Sequence, residues 1–589
     1  MRLSKAALVT ATLTFGVLSG SMVRAADPAG SLVGQWRFDE GSGTTAYDSS
    51  GRSPDGTING ATWVEGLSGK ALRFDGVDDY VEIPDVPQLN GVTEATFCYW
   101  VKYEGEPKVG RYCLCGYIKD AAGAAIRLGM ASWAGVFFNP GSHSDVNIPY
   151  MFSSGIWYHL ALTIQVGVQW QVFVNGDLIA SGTQGLPASS IATGRKWGIG
   201  ASMEPFLPSP MHPVPGVIDE VHVYNQALTP EEIETLYLAL APVHFPDTNL
   251  EAAVRQAVGK PQGDICHSDL GNLSVLEAVG KGIVNLSGLE HCTGLRRLDL
   301  RHNQIADLAP LGGLANLEQL SMDFNQIGDV TPLAGLTNLT GLFLGVNQIA
   351  EVGPLAGLLK LTDLSLIYNQ VANLTPLAHL TNLRSLDLDA NQISNITPLG
   401  GLANLTGLFL GVNQITDITA LAGLANLDRL WLHRNRIVEI GPLASLTKLV
   451  LLDLTDNQIS GLTPLAGLMD LRELYLEGNR ISDLTPLAGL KNLGTLNLKG
   501  NEVADIWPLV TNLGLSAGDE LDLGGNPLSE ISVSTYLGQL QARGVVVVTS
   551  LPPVAAMLLL GLLLRGGRGL FLMPRQAFAG RNPGAEPRP

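Results

Sequence analysis

The sequence predicts a multidomain chain in which an all-β jelly-roll sandwich precedes an α/β solenoid of leucine-rich, 22-residue repeats, with short strands on the concave face. Three observations predict it. Asparagine recurs at Asn303, Asn325, Asn347, Asn369, Asn391, Asn413, Asn435, Asn457, Asn479 and Asn501, always 22 residues apart, and a fixed period of this size marks stacked supersecondary units. Between residues 31 and 237 the pattern instead alternates apolar and polar residues in short runs separated by turn residues, as the strands of a sandwich do. The length of 589 residues also exceeds what one hydrophobic core organises.

The first element, residues 1–25, reads as an export signal. Arg2 and Lys5 precede an apolar stretch at 6–18, and Val23-Arg24-Ala25 supplies the small residues of a cleavage site. Residues 26–240 form the β domain. Its clearest hairpin is 169–174 turning at Asn175-Gly176 into 177–181, because such a two-residue turn needs left-handed backbone at both positions. The domain closes with Thr229-Pro230-Glu231-Glu232, a capping box with proline at the first helical position, which opens a short helix to Tyr237. Seven of the nine tryptophans fall in this domain. Most are expected in its core; Trp133, beside Ala131, Ser132 and Gly135, is the one expected at the surface, where an indole face stacks on a sugar ring.

Residues 241–294 cap the solenoid. Asp247 caps a helix whose Leu250, Val254 and Val258 share one face. Cys266-His267 and His291-Cys292 are mirrored, and an exported chain permits a disulfide between Cys266 and Cys292. The solenoid proper, 295–548, repeats the frame Leu383, Leu386, Leu388, Asn391, Ile393, Ile396, Pro398-Leu399, Leu402. Leu386 and Leu388 face inward on a short strand and Asp387 faces outward. Asn391 ends the strand and must bond the backbone of the turn; Pro398 begins the return where no N–H is needed. One repeat cannot bury its leucines, whereas a stack can. The spacing lengthens before Asn526, and a helix-like segment at 532–543 with a strand at 545–548 makes an atypical last repeat. In the tail, 549–589, Pro552-Pro553, an apolar run at 554–564 and Arg565, Arg568 and Arg575 suggest surface anchoring. As helix the run rises only about 16 Å, roughly half a bilayer core, and packing on the solenoid end is the alternative.

The repeat LxxLxLxxNQIxxIxPLxxLxx resembles the bacterial internalin-type leucine-rich repeats, and residues 245–254 resemble the cap that precedes them. In the β domain, residues 34–43 with 48–51, 69–83 and 216–228 together resemble the laminin-G-like, concanavalin A-type jelly-roll family. The first resemblance implies a binding scaffold, typically for proteins. The second implies a domain that binds glycan or protein and that in many members holds a structural calcium. Carboxylates and turn carbonyls are what a hard cation needs, and Asp39 and Asp219 are the expected ligands; Asp75, Asp78 and Asp79 form a second cluster that equally shapes a hairpin.

A formal net charge of −18 argues against nucleic acid or an anionic membrane surface as partner. The central outward column of the solenoid carries Phe343, Phe409, Trp431 and Tyr475 among polar residues that include Asp387 and Asp453. Exposed aromatics among polar neighbours mark contact sites; packing on one another is the plainer account. Asp323, Asp363, Asp389, Glu473 and Glu477 make the same face acidic, which favours a basic partner. No catalytic constellation emerges. Asp219-Glu220 is similar to the acid/base strand of jelly-roll glycosidases, but no second spaced glutamate follows. The expected function is therefore that of a non-enzymatic, monomeric adhesion-type protein, secreted and retained at the bacterial surface. Its solenoid would grip an extracellular protein and its jelly roll a glycan or protein. An accessory carbohydrate-binding protein with the solenoid as spacer is the alternative, and a glycoside hydrolase comes third.

Overall fold

The computed structural model describes residues 30–549 apart from 105–110, 121–124, 132–134, 141–145, 185, 187–189, 193–195 and 202–212. The expected export signal, the tail from residue 550 onward and Trp133 lie outside the described residues. The chain divides into two units, Met1–Ser321 and Met322–Pro589.

The first unit opens with two antiparallel sheets. One runs Asp177–Gly182, Gln169–Val174, Trp157–Gln165, Glu94–Tyr103, Pro215–Tyr224, Lys70–Asp75, Thr62–Glu65, with Leu32–Trp36 also paired to Pro215–Tyr224. The other is built around Arg111–Asp120, flanked by Ala125–Ala131 and Trp197–Ile199. The alternating strands put one set of side chains between the sheets, among them Trp36 and Trp197 with ring centroids 5.3 Å apart. Trp36, Trp100 and Trp197 are fully buried, as expected of core residues. The hairpin at Asn175-Gly176 has φ of 52° and 81°, the left-handed pair that its sequence demands.

The outer face of the first sheet is not left to solvent. Helix Pro230–Leu240 lies on it. Its capping box is complete: the Thr229 hydroxyl accepts from Glu232 N, and the Glu232 carboxylate accepts from Thr229 N at 2.8 Å. Ile233 and Leu236 pack on Cys98, Ala161, Phe173 and Tyr224, and Tyr237 stacks on Trp100 at 5.6 Å. The next layer of this packing belongs to the cap: Ala241 and Cys266 share a cluster with Leu67, Ala71, Trp100, Trp157 and Val217.

In the cap, helix Thr248–Val258 starts on Asp247, whose Oδ1 accepts from Asn249 N and Leu250 N while Oδ2 accepts from Val284 N and Asn285 N. One carboxylate thus ties the helix start to the later part of the cap, which leads into the repeats. The expected Cys266–Cys292 disulfide is not formed, and both are buried free thiols. Cys266 faces the β domain, with Sγ 3.4 Å from Leu67 O. The mirrored residues do meet, but through histidine: His267 Nε2 lies 2.9 Å from His291 Nδ1, while His267 Nδ1 lies 2.9 Å from Ala241 O.

In the second unit, three-residue strands from Gly341–Phe343 to Val546–Val548 pair in parallel. Short 3-10 turns such as Thr397–Gly401, with proline in the first turn, make the return. Leu386, Leu388, Ile393, Leu399 and Leu402 are fully buried, as are their counterparts along the stack. The asparagine ladder works as its spacing predicts. Asn413 Nδ2 donates to Leu388 O, Leu410 O and Gly411 O, and its Oδ1 accepts from Ile393 N at 2.9 Å. Each side chain therefore stitches two repeats together. At the far end Asn526 continues the ladder by accepting from Val503 N, and helix Leu537–Ala542 leads into the last strand.

Candidate functional site

Parallel register sets the geometry of the outward column. Asp387 pairs with Phe409, Phe409 with Trp431, Trp431 with Asp453, and Asp453 with Tyr475. Neighbouring strands lie about 4.8 Å apart, so side chains at one column position touch their neighbours. Phe409 and Trp431 meet edge to face, with centroids 4.9 Å apart at 78°, an arrangement that the ring quadrupoles favour. Trp431 is the exposed member, at 36%. Phe409 is half-buried because its ring lies over Gly407, where an added Cβ would come within 3.3 Å of it. Phe343 is not part of this group. Ser365 and Asp387 stand between it and Phe409.

Tyr475 closes the group on the other side. Its hydroxyl donates to Glu473 Oε2 at 3.0 Å, and burial, helped by that carboxylate, pushes its pKa up to about 12. The carboxylates are unusual too. Asp387 Oδ1 accepts from Asp389 N, and Asp389 Oδ1 accepts from Gly411 N at 2.5 Å. Burial pushes Asp387 up to about 6 and Asp389 up to about 7, the charge of Asp387 adding to the second shift. His433 was not flagged by the sequence. Its ring occupies the space left by Gly411, sits 6.2 Å from Trp431, and places Nδ1 3.7 Å from Asp453 Oδ2. Burial lowers its pKa.

A second exposed column also escaped the sequence reading. The residue before each ladder asparagine is left-handed: His302, Phe324, Val346, Tyr368, Ala390, Val412, Arg434 and Asp456 have φ between 52° and 58°. Phe324, Tyr368 and Val412 are exposed. The signal was present, because Gly478, Gly500 and Gly525 fill the same position in later repeats, and glycine is the residue that this backbone favours. A left-handed β-branched residue costs roughly 1–2 kcal/mol. Val412→Asn is accordingly expected to raise unfolding stability by about 1 kcal/mol, read from the urea midpoint. A lower midpoint would show that the valine side chain contributes more than its backbone costs.

On the opposite edge of the strands, a groove of about 470 Å³ is lined by Arg384, Asn404, Thr406, Asn426, Asp428 and Lys448. Asn404 and Asn426 already spend their amides on Thr381 O and Ala403 O, and Lys448 donates to Asn426 Oδ1. These side chains bind the repeats to one another.

In the β domain, Asp39 and Asp219 converge on one turn, residues 66–70. Asp219 Oδ2 accepts from Leu67 N at 2.8 Å and Ser68 N at 3.3 Å, and Asp39 Oδ1 accepts from Lys70 N at 3.2 Å. Gly66 and Gly69 leave room for them; an added Cβ would come within 2.6 Å and 2.0 Å of the two carboxylates. Glu220 follows at a bulge, with φ of 48°. Burial raises the pKa of Asp39, Asp219 and Glu220; the charge of Glu220 adds to the shift of Asp219, and that of Asp39 to both. Arg37 is the cation acting on Asp39 and Glu220. The oxygens of Asp39, Asp219 and Glu220 are the ligand type that a hard divalent cation takes, but the three carboxylates do not converge within 4.8 Å of one another as Asp75, Asp78 and Asp79 do. Asp219 and Glu220 are nearly inaccessible to solvent, which closes them to a polysaccharide. Asp75, Asp78 and Asp79 bring oxygens within 4.8 Å of one another, but Asp75 Oδ1 accepts from Val77 N and Asp78 N, and Asp79 Oδ2 from Asp75 N. They form the turn.

A fold of this kind defines a recognition scaffold: a repeat solenoid that presents a sheet face, joined to a lectin-like sandwich. Comparison with known proteins places it more closely. Residues 75–234 match the concanavalin A-like lectin/glucanases superfamily, and residues 272–335, 381–423, 425–467 and 470–511 match leucine-rich repeats. An internalin (inlF) from Listeria monocytogenes is 32% identical over 53% of this chain and 93% of that chain, with a TM-score of 0.51. The chain belongs to the internalin family through its repeat region. Internalin C2 from the same organism is 33% identical over 44% of this chain and 97% of that one, with a TM-score of 0.28. A Leptospira interrogans leucine-rich-repeat protein is 23% identical over 47% and 84%, with a TM-score of 0.38. No curated protein matches the chain. The two domain types together make this a binding protein. Among the described residues, no helix is long and apolar enough to cross a membrane.

Proposed function

We propose that the chain is an exported adhesion-type protein whose sheet face, centred on Phe409, Trp431 and Tyr475 with Asp387 and Asp453, grips an extracellular protein. The β domain serves as a second binding module for glycan or protein. One observation carries the reading: an aromatic pair, edge to face, with Trp431 exposed and Phe409 half-buried, flanked by carboxylates on a sheet face whose central strand leucines turn inward. The experiment is to screen the full chain against arrayed extracellular ectodomains and glycans. Trp431→Ala and Tyr475→Ala are expected to weaken each protein hit at least tenfold, roughly 1.4 kcal/mol or more. Unchanged affinity would remove the aromatic face from the mechanism. Glycan hits alone would favour the reading in which the solenoid is a spacer.

The β domain is further proposed to hold calcium through Asp39 and Asp219 beside the 66–70 turn. Bound calcium would offset the repulsion among the carboxylates there. Calcium is expected to raise the melting temperature of the full chain, and Asp219→Asn to abolish that rise. An equal melting temperature in calcium and in chelator would sink the assignment.

A further inference from the structure

We propose that the partner's anchor on the sheet face is an arginine side chain, seated on the Phe409–Trp431 pair within reach of Asp387 or Asp453. The inference rests on the sheet face being the contact surface and adds the chemistry of what enters it.

The face holds negative charge that the protein does not neutralise. Among the described residues no lysine or arginine pairs with Asp387, Asp389 or Asp453; the group beside Asp453 is His433, at 3.7 Å. Nearby cations are committed elsewhere: Arg429 to Asp428, Arg434 to Asp456, and Lys499 to Glu477. Asp389 is 6% exposed, and a carboxylate removed from water without a cation is costly. An apolar partner would bury these groups further and leave them uncompensated, and an acidic partner would be repelled. A cationic side chain removes the cost.

The aromatic pair selects among cations. Asp387 and Asp453 stand three strand spacings apart, roughly 14 Å, with both rings between them. A guanidinium lies flat on an indole and still offers N–H donors at its edge to a carboxylate, whereas an ammonium is a compact, strongly hydrated point charge. Platform and flanking acids together therefore fit arginine better than lysine.

The test uses the full chain and three fluorescent peptides of the form acetyl-GSXGSXGSX-amide, with X as arginine, lysine or citrulline, read by anisotropy. The arginine peptide is expected to bind tightest, and to lose at least tenfold in affinity in both Trp431→Ala and the double variant Asp387→Asn with Asp453→Asn. The asparagine changes keep the shape of the face. A control, Glu439→Gln with Asp470→Asn, makes the same change in charge at exposed positions away from the column and is expected to change affinity less than twofold. Equal loss in the control reduces the effect to the protein's overall charge and overturns the proposal, as does citrulline binding as well as arginine. If Trp431→Ala weakens an ectodomain hit while the arginine peptide binds no better than citrulline, the contact surface stands and the arginine anchor falls. If Trp431→Ala changes neither, both fall.

Discussion

Trp100→Ala is expected to destabilise the chain by about 3–5 kcal/mol, the range for removing a large buried aromatic, and to loosen the solenoid cap together with the β domain. Trp100 is 1% exposed and stands on the outer face of its sheet, stacked on Tyr237 and clustered with Leu67, Val217, Ala241 and Cys266. Its loss leaves a cavity with walls from both the sandwich and the cap. Because the two share these walls, they should unfold in one transition in the native chain. Urea titration with far-ultraviolet dichroism, combined with limited proteolysis at 238–247, reads both effects. If the variant loses β-domain stability while that segment stays as resistant as before, the shared core is not cooperative.

The second large effect is expected from Asn413→Ala, at about 3 kcal/mol. The carbonyls that Asn413 serves keep other donors: Leu388 O also accepts from Asn391, Leu410 O from Asn435, and Gly411 O from Ala390 N. Ile393 N is different, because the Asn413 side chain is the acceptor given to it. Leaving one buried N–H without a partner costs about 1–3 kcal/mol, and the bonds lost from the amide add to it. Stability in a stacked array is a sum of neighbour terms, so a break in mid-ladder should let the two flanks unfold separately. Hydrogen exchange of the repeats on either side would show faster opening that decays with distance. A change confined to residue 393 and its immediate neighbours, with global stability untouched, would show the ladder to be decorative.

What could be read from the sequence follows from what repeats. Any side chain that acts through its nearest repeats, such as Asn391, Leu386 or Pro398, has its contacts written at a fixed offset, and the registers of the outward column follow from the same period. Local chemistry was equally legible where a few adjacent residues decide it, as at Asn175-Gly176 and Thr229–Glu232. Contacts between residues far apart in sequence were not. Nothing near Cys266 reveals that its thiol faces Leu67 and not Cys292, because that direction is set by the docking of one domain on another. That Asp39 and Asp219 hold a single turn depends on the pairing of strands remote in sequence. The place of His433 depends on the space above Gly411 in the neighbouring repeat, which nothing adjacent to residue 433 reveals. The left-handed column is a matter of backbone conformation, and it shows in the sequence only as Gly478, Gly500 and Gly525.

The turn at 66–70 also has a mechanical consequence. Lys260 Nζ and Cys266 Sγ both reach Leu67 O, at 3.3 and 3.4 Å, and Lys260 is itself braced by Asp269 at 2.9 Å. Tension arriving at the cap is thereby divided between the backbone leading out of helix Pro230–Leu240 and a lateral strut of side chains. A coupling of this sort resists bending where an ordinary linker would swivel. The lectin-like module should then follow the cap as a rigid passenger, its orientation fixed before any partner is met.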